Sequence, residues 1–246
     1  MLFVYRIKVQ SGFSLIELAI VLFILSLLLG SLLPPLSAQI EQKRREETQA
    51  QLEEIKEVLF GFTFNKNNTL GKYRLPCPDC SDNTGNCTGM TANDGQEDIL
   101  SATTCATEIG NLPWVTLGVR ENDAWGQRFN YRVTDDFADV TDGASIPVSC
   151  TSTTLNVSFA LCSDGDIDIN DNTGAAVAQD VPALVFSRGE NYAETGSAFE
   201  QENTDGDKDF IYMDYSDDNT NGYDDLLIWI SPHILRTKML NAGILP

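Results

Sequence analysis

The chain has 246 residues, enough for one or two domains with a real core. It carries 36 acidic against 16 basic residues, a formal net charge of −20. An acid excess of this size excludes nucleic-acid binding through a basic surface. It leaves the carboxylates two roles, solubility through self-repulsion or the binding of divalent cations.

Residues 1–12, MLFVYRIKVQSG, hold Arg6 and Lys8 and no acid. Residues 13–33, FSLIELAIVLFILSLLLGSLL, are largely apolar and carry a single charge, Glu17. As a helix they would span about 32 Å, close to the hydrocarbon thickness of a bilayer. Pro34 and Pro35 mark the end or a kink of that segment. An ordinary export signal has a shorter apolar run with its small-residue cleavage site after it. Here the small residue, Gly12, comes first, so the apolar helix would survive cleavage. Glu17 is costly inside a bilayer, where a carboxylate is as a rule paired or functional, although its place near the start of the run also lets it reach the interface. Arg6 and Lys8 on one side are balanced by Lys43, Arg44 and Arg45 on the other, so charge alone does not orient the segment. The cysteines place the C-terminal part outside the cytoplasm.

Gly12-Phe13-Ser14-Leu15-Ile16-Glu17-Leu18 resembles the processing motif of type IV prepilins and type II secretion pseudopilins. The resemblance implies that a prepilin peptidase cuts after Gly12 and methylates the new amino terminus at Phe13. It also implies that Glu17 aligns an incoming subunit by meeting the N-terminal amine of a neighbour, an attraction strengthened in low dielectric. Other subunits, the peptidase and an inner-membrane assembly platform are the partners it implies, and nucleic acid is not among them. The chain would cross the inner membrane once with its head in the periplasm, then enter a periplasmic pseudopilus or a cell-surface pilus. The expected divisions are leader 1–12, transmembrane and assembly helix 13–35, amphipathic helix 36–62 and globular head 63–246.

Residues 36–62 contain no Gly or Pro before Gly61 and are rich in Glu, Gln, Lys, Arg and Ala, which predicts a helix. Ile40, Leu52, Ile55, Leu59 and Phe62 form its expected apolar stripe. Beyond residue 63, short apolar runs alternate with Asn-, Asp-, Thr- and Gly-rich turns. The predicted strands are Arg128–Val133, Leu155–Leu161, Ala183–Phe186, Phe210–Tyr212 and Leu226–Ile230. Turns fall at Asn172–Gly174 and Asn219–Gly222. The fold class is therefore α+β, a long N-terminal helix packed on an antiparallel β-sheet head with acidic and disulfide-bearing loops.

Six cysteines, Cys77, Cys80, Cys87, Cys105, Cys150 and Cys162, favour disulfides in an exported head. Cys150 and Cys162 bracket an expected strand pair and are paired on that ground, which leaves three ways to pair the other four. The alternative is a structural zinc site on Cys77, Cys80, Cys87 and Cys105, whose later spacings are irregular.

Two further segments extend the resemblance. Asp123-Ala-Trp-Gly-Gln-Arg-Phe-Asn-Tyr131, preceded by Asn111-Leu-Pro-Trp114, is similar to the D-x-W-G…Y segment of pseudopilins. Ser187-Arg-Gly-Glu-Asn191 and Asp224-Asp225-Leu-Leu-Ile-Trp229 are similar to the tail motifs of major pseudopilins, in which the tail aspartate borders a calcium site. The chain is larger than a typical major subunit, and a bulky head suits a minor subunit near a filament tip.

No cofactor is required by these patterns, and Ca²⁺ is the candidate ion. Its candidate ligands are Asp205, Asp207, Asp209, Asp217, Asn219, Asn221 and Asp225. Asp217, Asn219, Asn221 and Gly222 match the first half of an EF-hand loop, but Ile228 stands where the bidentate Glu belongs. Asp164, Asp166, Asp168 and Asn170 form a second alternating run. The competing reading of every acidic stretch is a solvated loop. His233, the only histidine, lies in Ser-Pro-His-Ile-Leu and is expected to pack or cap. No G-x-S-x-G, P-loop, dinucleotide fingerprint or H-E-x-x-H occurs, so the chain is not expected to be an enzyme. The function expected is a structural minor pilin or pseudopilin. The alternatives are a filament-borne adhesion or substrate-binding module and a membrane-tethered periplasmic enzyme.

Overall fold

The computed structural model describes residues 14–66, 71–100, 104–138, 157–192, 196–218 and 220–245, with the side chains of 29–36 excepted. The chain divides into two units, Met1–Lys43 and Arg44–Pro246.

Helix α1 (Leu15–Thr63) supplies the described part of the first unit and enters the second. Its first turn is closed reciprocally. Ser14 Oγ accepts from the Glu17 amide at 3.2 Å, and Glu17 Oε2 accepts from the Ser14 amide at 3.5 Å. Side chains from Leu15 to Leu28 are exposed. Among the described residues no helix is long and apolar enough to cross a membrane. Leu15–Leu28 reaches about 21 Å at the helical rise, short of a bilayer core. The apolar run of the sequence continues to Leu33, where side chains lie outside the described residues. Of the end or kink expected at Pro34 and Pro35, the end does not occur, since α1 runs on through both prolines. Strong helix formers on both sides, Leu before and Gln, Glu, Lys and Arg after, outweigh the lost donors.

In the second unit, α1 buries Thr48, Leu52, Ile55, Leu59, Phe60 and Thr63. The three- and four-residue spacing puts these on one face. Ile40 is not part of that stripe and is 47% exposed. The helix ends where Thr63 Oγ1 turns back onto the Leu59 carbonyl at 2.9 Å. Along the chain follow two short paired strands, β1 (Ile99–Leu100) and β2 (Thr104–Cys105), and two single-turn helices, α2 (Trp114–Leu117) and α3 (Asp135–Ala138). The buried face of α1 packs against an antiparallel sheet ordered β3 (Ile109–Asn111), β4 (Asn130–Val133), β7 (Ala183–Ser187), β9 (Leu226–Ile230). β7 is buried throughout because both sheet faces are covered. Ala183 and Val185 join the α1 core, whereas Leu184 and Phe186 join a second core. That second core is completed by a sheet ordered β6 (Ala176–Val181), β5 (Ile167–Asn170), β8 (Asp209–Ile211), with Ile167, Ile169 and Phe210 inside. Helix α5 (Pro232–Asn241) starts with Pro in its first turn and buries Leu235 and Met239 in the α1 core. His233 is exposed in that first turn and neither packs nor caps.

Four of the five predicted strands occur, Leu226–Ile230 with the predicted bounds and the other three with shifted ends. Leu155–Leu161 does not. Within it, Val157 makes one bridge to Tyr73, and residues 157–160 are all buried rather than alternating, while 155 and 156 lie outside the described residues. In the Asp164–Asn170 run two of the acids are engaged by side chains of the head. Asp164 accepts from Arg236 Nη2 at 2.9 Å and Asp166 pairs with Lys208 and Thr134, whereas Asp168 points outward from β5.

The cysteine segment contains a nested pair of disulfides, Cys77–Cys105 and Cys80–Cys87. The thiolates that a zinc site needs are thereby consumed, and the zinc reading is overturned. Cys162 is also disulfide-bonded. Cys150, the partner expected for it, lies outside the described residues. The Cys77–Cys105 bond closes a 28-residue separation, for which loop entropy gives about 3–4 kcal/mol. Replacing both residues by Ala is therefore expected to lower the unfolding free energy by about that much in a urea titration. A loss below about 1 kcal/mol would mean that other contacts already hold the loop.

Candidate functional site

Strands β7 and β9 pair with Ser187 opposite Leu226, so the segment leaving β7 and the segment entering β9 lie side by side. The first is Ser187-Arg-Gly-Glu-Asn191 and the second contains Asp224 and Asp225. Gly189 has φ +61°, and a Cβ there would lie 2.4 Å from Asp224 Cγ, so only glycine allows the approach. The loop then aims two amides at one oxygen. Glu190 N and Asn191 N donate to Asp224 Oδ2 at 2.7 and 3.2 Å.

Helix α4 (Ala198–Glu202) adds a third carboxylate. Its capping box joins Ser197 and Glu200, with the Ser197 amide donating to Glu200 Oε2 at 2.8 Å. Asn191 Nδ2 donates to both Glu200 oxygens at 3.1 Å, and the Asp224 amide donates to Glu200 Oε1 at 3.0 Å. Asp225 Oδ2 accepts from Asn203 Nδ2 at 2.7 Å, while Asn203 Oδ1 accepts from the Ile211 amide on β8. Carboxylate oxygens of Glu200, Asp224 and Asp225 consequently lie within 4.8 Å of one another. Glu200 and Asp225 are buried. Asp224 Oδ1 is buried with no hydrogen-bond partner.

The electrostatics follow from that crowding. Burial pushes Asp225 up to about 7, helped by the Glu200 and Asp224 charges and opposed by the Asn203 hydrogen bond and Arg188. Burial, followed by the Glu200 carboxyl, pushes Asp224 up to about 7. Burial and the neighbouring Asp225 also raise Tyr223. Three converging carboxylates with one orphaned oxygen form an all-oxygen donor set, which suits a hard cation such as Ca²⁺.

The Asp-Ala-Trp-Gly segment braces this site. Asp123 Oδ1 accepts from Trp125 N and Gln127 N, both at 2.9 Å, and Asp123 Oδ2 accepts from Ser187 Oγ at 2.6 Å. Ser187 Oγ in turn accepts from Gly189 N at 3.2 Å. The two head segments of the resemblance thus meet through one buried aspartate.

Of the predicted ligands, only Asp225 enters the buried cluster. Asp205 and Asp207, both exposed, group with the half-buried Glu202, and Asp209 belongs to β8. The EF-hand-like stretch is a hairpin turn between Ser216 and Tyr223, with Asp218 Oδ1 accepting from Thr220 N and Asn221 N. Asp217 is exposed and Asn219 lies outside the described residues. Sequence reasoning did not place Glu200 in the cluster, and it named Asp224 only within the tail motif and not among the candidate ligands. Ser197-x-x-Glu200 is a capping-box signature that marks a helix start and could have located Glu200. Gly12 and Phe13 lie outside the described residues, and Glu17 sits exposed in the first turn of α1.

Residues 7–33 match the family model of the prokaryotic N-terminal methylation motif. No curated protein and no solved structure matches the chain.

Proposed function

We propose that this chain, which carries the methylation motif that is the signature of type IV prepilins and pseudopilins, is a minor subunit of a pilus-like or type II secretion filament. The observation that carries the reading is the order of the motif, with Gly12 before the apolar run and Glu17 within it. The precursor is held in the inner membrane by residues 13–35, with its head in the periplasm. The disulfides support an oxidising compartment. Prepilin peptidase cleaves between Gly12 and Phe13 and methylates Phe13. The Glu17 carboxylate, exposed in the first turn of α1, then takes the N-terminal amine of a neighbouring subunit. In the head, Glu200, Asp224 and Asp225 hold a calcium ion that ties α4 and the Ser187–Asn191 loop to β9. The orphaned Asp224 oxygen supports this assignment.

Mass analysis of the N-terminus tests the central step. The mature chain is expected to begin at N-methylated Phe13, and any other start overturns the reading. Glu17→Gln is expected to spare membrane insertion and sharply reduce filament incorporation. Loss of insertion instead would remove the docking role.

A further inference from the structure

We propose that the open edge of β9 takes up an extended segment of a partner protein, one that alternates apolar and basic side chains and adds to the four-stranded sheet as a further antiparallel strand. The hydrogen-bond pattern fixes which backbone groups face that edge. Val133 N donates to the Glu108 carbonyl and Leu112 N donates to the Phe129 carbonyl, both at 2.9 Å. Phe129, Tyr131 and Val133 therefore bond toward β3, while Asn130 and Arg132 bond toward Phe186 and Leu184 of β7. Ala183, Val185 and Ser187 are left to bond Ile230, Ile228 and Leu226 of β9. By the same alternation, Leu227 and Trp229 turn their amides and carbonyls away from the sheet. No hydrogen-bond partner meets these groups among the described residues.

The other edges of the two larger sheets are closed. Asp79 N and Asn111 N each donate to the other residue's carbonyl, at 3.0 and 2.8 Å, and cover β3. Asn203 covers β8 with its side chain, Oδ1 accepting from Ile211 N at 2.8 Å and Nδ2 donating to the Ile211 carbonyl at 3.2 Å. β6 shifts register against β5 and holds Asp180 at φ +55°, irregularities that spoil an edge for pairing. β9 has none of these devices, and its sequence, Leu-Leu-Ile-Trp-Ile, carries no charge. A bare apolar edge of this kind is a template for another strand.

The edge opens into a recess of about 270 Å³ with two unlike walls. One wall is aromatic, with Tyr212 edge-on to Trp229 and the ring centroids 5.4 Å apart. The other is a polar face of α1, formed by Gln49, Glu53 and Lys56. Leu227 and Trp229 face the second core, whereas Ile228 and Ile230 face the α1 core. In an added strand, the residues opposite Leu227 and Trp229 share their face and meet the aromatic wall, so these are apolar. The residues between them meet the α1 wall, where the Glu53 side chain is 56% exposed. Charge sets the sign of these. The net charge of −20, with Asp214, Asp217 and Asp218 exposed just beyond Tyr212, draws a cationic segment and repels a second copy of the chain.

The probe is a fluorescein-labelled peptide, Lys-Val-Lys-Val-Lys-Val-Lys, titrated into the full chain in detergent at physiological salt and read by anisotropy. Saturable binding is expected, together with slowed hydrogen exchange in residues 226–230. The same peptide N-methylated at its valines keeps its charge and loses the donors that face the edge, so it should bind at least about tenfold more weakly. Exchanging its lysines for glutamates should abolish binding. Trp229→Pro removes one outward donor and spares the ladder to β7, and it should weaken binding at least about tenfold. Tyr212→Ala thins the aromatic wall without touching the strand and should weaken binding about threefold or more, which keeps the test valid if Trp229→Pro folds poorly. No saturable binding, equal binding of the N-methylated or the glutamate peptide, or an affinity unchanged in both variants overturns the proposal. So does sedimentation in which the wild-type chain dimerises and Trp229→Pro does not, because the occupant is then a second copy.

Discussion

Replacing Arg74 by Met is expected to lower the stability of the Arg44–Pro246 unit by about 3–5 kcal/mol, a fall in Tm of roughly 6–20 °C for a domain of this size. Arg74 is a fully buried cation, 0% exposed, and its Nη2 reaches both Glu97 oxygens at 2.8 and 2.7 Å. Nη1 donates to the Leu75 carbonyl at 2.9 Å, and the guanidinium lies over the Phe62 ring of α1. Glu97 is equally sunk, with a side chain 5% exposed, and it also accepts from the Cys77 amide at 3.2 Å. The pair therefore joins α1, the start of the disulfide segment and the turn at 93–98. Removing the cation strands Glu97 in a dry site, and that stranded charge supplies most of the cost. Arg74→Met with Glu97→Gln should accordingly recover at least half of the loss. Urea denaturation of the three proteins measures both effects. A single-variant loss below about 1 kcal/mol, or a double variant no better than the single, would show that the pair does not hold the segment.

How much of this was legible in the sequence depended on whether the signal was local. The second half of α1 was legible from helix-forming composition and from Leu52, Ile55 and Leu59 at helical spacing. β7 and β9 were legible as short apolar runs. The β5–β6 hairpin was not. Ile167 and Ile169 point in and Asp168 and Asn170 point out, a period-two pattern, but Asp is so depleted in strands that Ser163–Asp171 reads as an acidic loop. α5 carried its own signals, Pro232 in the first turn and Leu235 and Met239 one turn apart, yet they span only ten residues directly after a strand. Arg74 and Glu97 are separated by 23 positions, and nothing in either neighbourhood announces the partner. The carboxylate site fell between these cases. Asp225 stood out in the sequence, but Glu200 meets it only because β7 pairs with β9 and α4 is capped beside their ends.

That carboxylate site sets the second large effect, a dependence of stability on pH that calcium is expected to abolish. Asp224 and Asp225 both have folded-state values of about 7, raised first by burial, against 3.8 in the unfolded chain. A raised folded value means that folding binds protons. The stability contributed is complete below pH 4 and is lost as pH rises to about 7. For Asp225, the more buried of the two, the loss is of order 4 kcal/mol at 1.36 kcal/mol per pH unit. In EDTA, the Tm of the full chain in detergent is expected to decline steadily from pH 4.5 to 8. A bound calcium ion offsets the charges in place of protons, so with calcium at about 100 times its Kd the stability at pH 8 should rise by about 2.7 kcal/mol, or roughly 5–11 °C. Asp225→Asn separates the two causes. Without a charge to bury, it should melt higher than the wild type in EDTA at pH 8 and lose most of its response to calcium. The reasoning fails if the EDTA and calcium curves superimpose, or if Asp225→Asn keeps the full calcium response. Asp79 contributes a proton linkage of the same sign below about pH 6, so the comparison is made at pH 7 to 8, where that group has already titrated.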